Sequence, residues 1–361
     1  MTSPTAARLA RLRERMQSAA VDALVVSARN NVRYLSGFSG SSGALLVTPH
    51  EALLFSDFRY RIQAAEQAPD FEFVEVQRHL MKAVGERARA DGARALGYDP
   101  ANLTCEGRDE LSAGAGDGDL RPCAGLVEEL RALKSADEVE QIRAAAALAD
   151  SALERLIPML RPGATERSLA VEAEFAMRRM GADAAAFDVI VASGPRAALP
   201  HAEPTDRELE VGDVVVIDIG AKRHGYCSDM TRTFVVGRAS QQMREVYSIV
   251  HRAQAAGVAA LAPGVACADV DAAARAIIAD AGYGEAFGHG LGHGVGLDVH
   301  EAPRLGRDEE TKLAVGHVVT VEPGVYLAGV GGVRLENLLV VCEGGPETLT
   351  SSPLPAELPI V

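Results

Sequence analysis

The sequence predicts an α+β protein of two domains, residues 1–131 and 132–361, and three observations support this fold class. The chain has 361 residues and is 48% hydrophobic and 24% charged, which suits a globular protein with two sizeable cores. Helix-like and strand-like hydrophobic patterns alternate up to about Arg131, as in an ordinary α/β domain. The remainder contains an internal repeat, so we expect two similar halves there, related by a pseudo-twofold axis.

The first domain begins with an amphipathic helical pattern over Ala6–Ala19. The apolar stretch Ala23–Val26 is typical of a strand, and two further short strand-like runs, Ala44–Thr48 and Ala52–Phe55, flank Pro49-His50. No constellation of catalytic residue types stands out in this part of the chain. We therefore expect the chemistry to lie in the second domain.

A capping box marks the start of the second domain. Ser135 and Glu138 have the spacing at which the side chain of each accepts the backbone N–H of the other. A helix is predicted to follow, because apolar residues recur at helical spacing at Val139, Ile142, Ala146 and Leu153.

The internal repeat covers most of the second domain. Leu160-Arg161-Pro162-Gly163 recurs as Leu261-Ala262-Pro263-Gly264, and the apolar pattern of the helix that follows recurs at the same offset. Further on, Gly212 precedes Asp218 by six residues and Gly316 precedes Glu322 by six, with an apolar run between them in each copy. Each copy then supplies a second acid, Asp229 or Glu336.

These four carboxylates are candidate metal ligands. An isolated Asp is usually a turn residue, but Asp218 and Glu322 each end a run of apolar residues that reads as a buried strand. Val214–Asp218 and Ser228–Val235 should pair as an antiparallel hairpin about His224-Gly225, which brings Asp218 near Asp229. Four acids gathered at a pseudo-twofold axis need a cation, since burying like charges together is otherwise very costly.

A glycine-rich segment, Phe287–Glu301, offers nitrogen ligands. It carries His289, His293 and His300 among five glycines, and so much glycine disfavours a helix and lets the backbone approach a ligand. It contains neither HExxH nor GxGxxG, which argues against a zincin and a dinucleotide-binding fold. Carboxylates with few imidazoles favour manganese, cobalt, zinc or iron over copper, and four bridging-capable acids suggest two ions.

Charge and cysteine content limit the partners and the compartment. The net charge of −14 and the lack of a basic run argue against nucleic acid or an anionic membrane as a partner. Five cysteines without CxxC spacing suit a reducing compartment. The first residues lack the apolar stretch of a signal peptide, and no run has the length of a membrane span. We therefore expect a cytoplasmic protein.

Taken in order, Asp218, Asp229, His293, Glu322 and Glu336 resemble the ligand set of the dinuclear metallopeptidases with the pita-bread fold. Three segments resemble the Xaa-Pro branch of that family, prolidase and aminopeptidase P: Gly225–Thr233, Val299–Pro303 and Val321–Tyr326. The segment Tyr34–Gly43 resembles the creatinase-type N-terminal domain of that branch. One departure is Asn337, where the family commonly has Asp; we expect it to tune Glu336 without removing a ligand.

The resemblance implies a role for each residue. Two divalent ions are implied, with Mn²⁺ favoured and Co²⁺ or Zn²⁺ as alternatives, and with Asp229 and Glu336 as bridging ligands. Glu322 is implied to move a proton and His300 to stabilise the oxyanion. The remaining implied site residues are His201 and His289 at the prolyl side and leaving nitrogen, Arg334 at the substrate carboxylate, and Phe187 and Tyr326 as pocket walls.

The implied activity is metal-dependent hydrolysis of the peptide bond that precedes proline. We favour an Xaa-Pro dipeptidase (prolidase) acting on short proline-containing peptides, because the segments around His293 and His300 look more like compact microbial prolidases. The alternatives are an aminopeptidase P acting on longer peptides and a non-catalytic pita-bread protein that binds peptides. A homodimer or larger homo-oligomer is also implied.

Overall fold

The computed structural model describes residues 4–361, and the chain divides into two units, Met1–Arg131 and Ala132–Val361. No helix in residues 4–361 is both long and apolar enough to cross a membrane. All five cysteines are free thiols.

The first unit is a six-stranded mixed sheet with helices. Its helices are α1 (Pro4–Ser18), α2 (Arg29–Ser36), α3 (Arg61–Gln67), α4 (Leu80–Ala90), α5 (Cys105–Ala115) and α6 (Glu128–Ala132), and its strands are β1 (Ala23–Val26), β2 (Ala44–Val47), β3 (Ala52–Ser56), β4 (Glu72–Glu75), β5 (Ala95–Tyr98) and β6 (Asp119–Pro122). The strand order is β4-β3-β2-β1-β5-β6. The predicted helix and the three predicted strands are confirmed to within two residues at each end.

The second unit repeats one helix-helix-sheet arrangement. Its helices are α7 (Ala136–Leu156), α8 (Glu166–Arg179), α9 (Gln241–Ala260) and α10 (Cys267–Asp280), and its strands are β7 (Ala184–Ala185), β8 (Ile190–Ser193), β9 (Val214–Ile219), β10 (Ala221–Arg223), β11 (Tyr226–Cys227), β12 (Met230–Val235), β13 (Gly292–Gly294), β14 (Glu301–Leu305), β15 (Val318–Val321), β16 (Gly324–Leu327), β17 (Gly331–Arg334), β18 (Asn337–Val340) and β19 (Glu347–Thr348). The sheets run β12-β9-β8, β11-β10-β7, β14-β13-β15-β18-β19 and β16-β17.

The two halves have the same local construction. Helices α7 and α8 pack together and cover β9, while α9 and α10 pack together and cover β15. The turn before α8 has Gly163 at φ +85°, and the turn before α10 has Gly264 at φ +85°. A side chain would strain both turns in this left-handed conformation, so the repeated glycine is dictated by the backbone. The capping box predicted at Ser135 and Glu138 is present at the start of α7.

Strand pairing brings the ends of the apolar runs together. β9 pairs antiparallel with β12, with Asp218 opposite Thr231, and the chain between these strands turns at His224-Gly225 as predicted. β15 pairs antiparallel with β18, with Val321 opposite Asn337. Separate clusters of buried apolar side chains fill the two halves, so each sheet is fixed by its own pair of helices.

Candidate metal centre and active site

The four carboxylates meet where the two halves of the second unit join. Asp218 lies in β9, whereas Asp229 directly precedes β12, Glu322 directly follows β15 and Glu336 directly precedes β18. The halves are joined at this point by backbone bonds, because the Glu336 N–H donates to the carbonyl of Thr231 at 3.1 Å. Placing the acids at strand ends lets apolar strands approach one another while the carboxylates converge beyond them.

The converging side chains form a group with metal-ligand geometry. Asp229, His293 and Glu336 present ligand atoms that all lie within 4.8 Å of one another. His293 Nε2 is 3.6 Å from Asp229 Oδ2 and 3.3 Å from Glu322 Oε1. Asp218 Oδ1 and Glu336 Oε1 are buried and have no hydrogen-bond partner within residues 4–361. Buried oxygens without partners are costly, so they point to a ligand that completes them.

The electrostatics of the group also call for a cation. Burial, together with repulsion from neighbouring carboxylates, raises the pKa of Asp229 and that of Glu336 well above their usual range. Burial also raises the pKa of Asp218, although the charge of Arg334 opposes the shift. Protonation would remove the charge of only some of these acids, and a protonated carboxyl group binds a metal ion poorly. Divalent cations would neutralise all of them, and carboxylate oxygens with one imidazole are suitable donors.

His293 and Glu322 each stabilise the charged form of the other. Burial opposes the charged form of each, but the hydrogen bond and charge of His293 lower the pKa of Glu322, and Glu322 in turn raises the pKa of His293. Glu322 Oε1 is also within 3.2 Å of the Thr320 hydroxyl. Without a cation, a protonated His293 therefore supplies the positive charge next to Glu322.

Arg334 lines the pocket, and four of its five guanidinium N–H groups donate to the protein itself. Its guanidinium donates to Asp218 Oδ2 at 2.6 Å, to the carbonyl of Pro200 at 3.0 Å, to the Tyr326 hydroxyl at 3.0 Å and to Thr231 Oγ1 at 3.1 Å. Only 4% of its side chain is exposed. The side chain therefore holds Asp218, and its expected contact with a substrate carboxylate stays a prediction.

The hydroxyl of Tyr326 is also engaged, so the expectation that Tyr326 forms a pocket wall is corrected. Its oxygen accepts from Arg334 and lies 2.9 Å from His289 Nε2, and the ring is absent from the pocket lining. His289 Nδ1 lies 2.8 Å from the carbonyl of Gly290, which can only accept. Every partner is satisfied when Arg334 donates to the Tyr326 oxygen, the Tyr326 hydroxyl donates to His289 Nε2, and His289 Nδ1–H donates to the Gly290 carbonyl. Both ring nitrogens of His289 are thus hydrogen-bonded to the protein, so His289 lines the pocket with the face of its ring.

The carboxylates and histidines open into a pocket of about 700 Å³. The pocket is lined by Phe187, His201, His289 and His300, together with the ligand group, which comprises the candidate ligands Asp218, Asp229, His293, Glu322 and Glu336. The His300 ring lies 4.3 Å from that of His293, centroid to centroid. Burial lowers the pKa of His300, so its imidazole is neutral near neutral pH and can donate one N–H. His201 is exposed to the pocket and makes no side-chain hydrogen bond within residues 4–361.

Two residues of the site were not predicted from the sequence. Thr231 donates to Glu336 Oε2 at 2.6 Å and accepts from Arg334, so it orients the Glu336 carboxylate; its position two residues after Asp229 was the available signal. Arg304 lines the pocket and lies directly opposite His293 in the pairing of β13 with β14. Directly opposed residues of an antiparallel pair lie on the same face, so Arg304 faces the ligand group. No sequence pattern indicates that register.

Asn337 is linked to Glu336 through Arg232. Its Oδ1 accepts from Arg232 at 2.8 Å and from the Thr350 hydroxyl at 3.1 Å. Arg232 in turn donates to the main-chain carbonyl of Glu336. The amide therefore holds an arginine that fixes the Glu336 backbone, and it does not contact the Glu336 carboxylate directly.

Comparison with known proteins identifies the class. The model of metallopeptidase family M24 matches residues 140–343, and the creatinase/prolidase N-terminal domain matches residues 8–133. The chain belongs to metallopeptidase family M24. It is therefore a peptidase that uses divalent metal ions, and the expected combination of a pita-bread fold with a creatinase-like first domain is confirmed.

Several relatives and solved structures are similar to this chain over almost its whole length. A Bacillus subtilis protein named as an uncharacterized peptidase is 41% identical over 346 residues, covering 96% of this chain and 98% of that protein. The Xaa-Pro dipeptidase of Pyrococcus horikoshii is 37% identical over 94% of this chain and 95% of its own length. Among solved structures, the Xaa-Pro dipeptidase from Bacillus anthracis superposes with a TM-score of 0.96 at 39% identity, over 99% of this chain and 100% of that one. The X-Pro aminopeptidase from Thermotoga maritima gives 0.89 at 36% identity, over 98% and 99%.

Proposed function

We propose that this protein is an Xaa-Pro dipeptidase that hydrolyses the bond before a C-terminal proline, with catalysis in residues 132–361 and residues 1–131 as the creatinase-like domain. One observation carries the dipeptide assignment. Arg304 is an exposed cation on the pocket face, and it makes no ion pair or side-chain hydrogen bond within residues 4–361.

The proposed metal ligands are Asp218, Asp229, His293, Glu322 and Glu336, holding two divalent cations, with Mn²⁺ as the favoured ion. The support is the converging oxygens, two of them unpartnered, and the raised pKa of Asp229 and Glu336. When bound, such cations polarise a carbonyl as Lewis acids and lower the pKa of water.

Arg304 suits the free carboxylate of a dipeptide. The strand pairing puts it on the same face as His293, so a substrate whose scissile bond lies at the ligand group can extend its proline toward Arg304. A dipeptide presents a carboxylate there, and a guanidinium binds carboxylates through charge-assisted, paired hydrogen bonds. A longer peptide presents an uncharged amide at that position and loses the contact.

The remaining side chains have separate tasks. Glu322 is placed to accept a proton and His300 to donate an N–H to the developing oxyanion, since its imidazole is neutral. His201 has both ring nitrogens free to reach the substrate. Phe187 and the ring of His289 provide walls for the pyrrolidine ring, which needs contact surface because a peptide bond to proline has no N–H to donate.

Matched substrates and variants test the assignment. With Mn²⁺ present, the enzyme should cleave Leu-Pro faster than Leu-Pro-Ala. Arg304→Gln should lower kcat/KM for Leu-Pro by about 10- to 100-fold, the typical effect of removing a charge-assisted contact. The same change should have little effect on Leu-Pro-Ala. Arg307→Gln is the matched control, because Arg307 also lines the pocket but lies beyond the end of β14.

Each alternative gives a different result. Faster cleavage of Leu-Pro-Ala would favour an aminopeptidase P, the activity named for the Thermotoga maritima structure. Binding of Leu-Pro without turnover, with metal bound, would favour a non-catalytic peptide-binding protein. Equal losses in the Arg304 and Arg307 variants would refute the specific role of Arg304.

We also propose a homodimer in the cytoplasm. Phe58 and Ile62 of the first unit are 69% and 75% exposed, which is unusual for large apolar side chains and suits burial against a second copy. The five free thiols suit a reducing compartment. Light scattering of the purified enzyme tests the dimer, and a monomer at micromolar concentration would refute it.

A further inference from the structure

A buried carboxylate outside the ligand group holds the segment that carries His201. Glu166, the first residue of α8, is 0% exposed and accepts five hydrogen bonds. Its Oε1 accepts from the backbone N–H and the hydroxyl of Ser193, both at 2.8 Å. Its Oε2 accepts from the backbone N–H of Thr205 at 3.0 Å and its hydroxyl at 2.7 Å. Ser193 and Thr205 are the two ends of one segment, so one side chain closes that segment at its base.

The same carboxylate is linked to the middle of the segment. Arg196 donates to Glu166 Oε2 at 3.0 Å and to the carbonyl of Glu203 at 2.6 Å, two residues beyond His201. On the other side of His201, the carbonyl of Pro200 accepts from Arg334. The backbone on both sides of His201 is therefore fixed by buried or half-buried donors.

The His201 side chain has no such support of its own. It is exposed to the pocket and makes no hydrogen bond within residues 4–361. The position of the His201 ring in the pocket therefore depends on the backbone, because no side-chain hydrogen bond would hold the ring in place if segment 193–205 moved. A displacement of about 1 Å at a reacting group can cost about 100-fold in rate.

The second half of the repeat is built in the same way. Asp271 lies on α10, one helical turn further along than Glu166 on α8 at the 101-residue offset, and it is 1% exposed. It accepts the Leu291 N–H at 3.0 Å and pairs with Arg275, which donates to the carbonyls of Phe287 and His289. A buried acid on the corresponding helix therefore holds the segment that carries the second pocket histidine.

We propose that Glu166 is a positioning residue that acts through His201, by holding both ends of segment 193–205 against α8. This inference rests on the proposed function, because His201 is taken to contact the substrate. Glu166→Gln tests it, since an amide nitrogen cannot accept and one end of the segment must lose its bonds. Asp150→Asn is the matched control: Asp150 is a buried acid that accepts three hydrogen bonds from Ser351 and Ser352, which do not line the pocket.

A double-mutant cycle on Leu-Pro hydrolysis separates positioning from general destabilisation. Glu166→Gln should lower kcat/KM by about 10-fold or more, with metal content per chain unchanged. In the His201→Ala background the same substitution should cost less than about twofold, because the residue it positions is gone. Asp150→Asn should lower the melting temperature and leave kcat/KM within about twofold of the starting enzyme.

Three results would overturn the inference: independent losses that multiply in the double variant, an equal loss in Asp150→Asn, or normal activity in Glu166→Gln while His201→Ala is impaired. If His201→Ala itself is fully active, the proposed role of His201 fails instead. Should Glu166→Gln not fold, Thr205→Val removes one of the five bonds at the same anchor. That variant should show the same dependence on His201, and a loss independent of His201 would contradict the proposal.

Discussion

Substitution of a buried histidine should change how stability depends on pH. His317, directly before β15, is 6% exposed, and its Nδ1 accepts the Ala314 N–H at 3.1 Å. Burial, and secondarily the charge of Lys134, lowers the pKa of His317 to about 4 from the ordinary 6.5. The folded protein therefore keeps His317 neutral at pH values where the unfolded chain has already protonated it.

The sign and size follow from proton linkage. Between pH 6.5 and 4 the unfolded state binds the extra proton, so this histidine makes the free energy of unfolding fall as the pH falls. At pH 4.5 the difference spans two pH units from the ordinary value, and each unit is worth about 1.4 kcal/mol. The penalty is therefore about 2.5 kcal/mol at pH 4.5 and close to zero at about pH 8.

His317→Asn removes the titration and keeps the acceptor, because an Asn Oδ1 can take the place of Nδ1 toward Ala314. Urea unfolding followed by circular dichroism, in EDTA so that metal binding does not contribute, should give the variant a disadvantage at about pH 8. That disadvantage should shrink or reverse by about 2.5 kcal/mol at pH 4.5. His50→Asn, at an exposed turn, is the control and should show no such change. A difference between the starting protein and His317→Asn that stays constant to within about 0.5 kcal/mol would show that His317 is not kept neutral by burial.

Other changes test the metal centre, the close packing beside it and the boundary helix. Asp229→Asn and Glu336→Gln should each reduce kcat by more than about 100-fold, since loss of groups that merely orient ligands already costs 10- to 100-fold; near-normal turnover with full metal occupancy would contradict the ligand assignment. Gly292→Ala should destabilise the protein by about 1–3 kcal/mol in urea unfolding, because its Cβ would lie 2.1 Å from the carbonyl oxygen of Thr320, and an unchanged midpoint would argue against that contact. Ser135→Ala should cost about 1 kcal/mol, as it removes the cap of α7, and Ser135→Asp should recover most of that loss.

Features that depend only on neighbours along the chain could be predicted from the sequence. The capping box at Ser135, the strands that end in Asp218 and Glu322, and the repeated turn glycines are read from fixed spacings, because helix, strand and turn conformations are local. The repeat then implied that the acids converge, since two copies of one unit place equivalent strand ends together. The order and context of the five implied ligands were sufficient for the family resemblance.

The contacts of the side chains around the candidate ligands depend on packing in three dimensions. Four N–H groups of Arg334 donate to Asp218, Pro200, Thr231 and Tyr326, so this arginine holds its neighbours in place in a way that the sequence did not indicate. The pairing of β13 and β14 puts Arg304 opposite His293, where we propose that it binds the substrate carboxylate, and the register shifts directly after that pair. An irregularity of this kind breaks the regular alternation of residues along the strand, so the facing of Arg304 cannot be read from the spacing of apolar and polar residues.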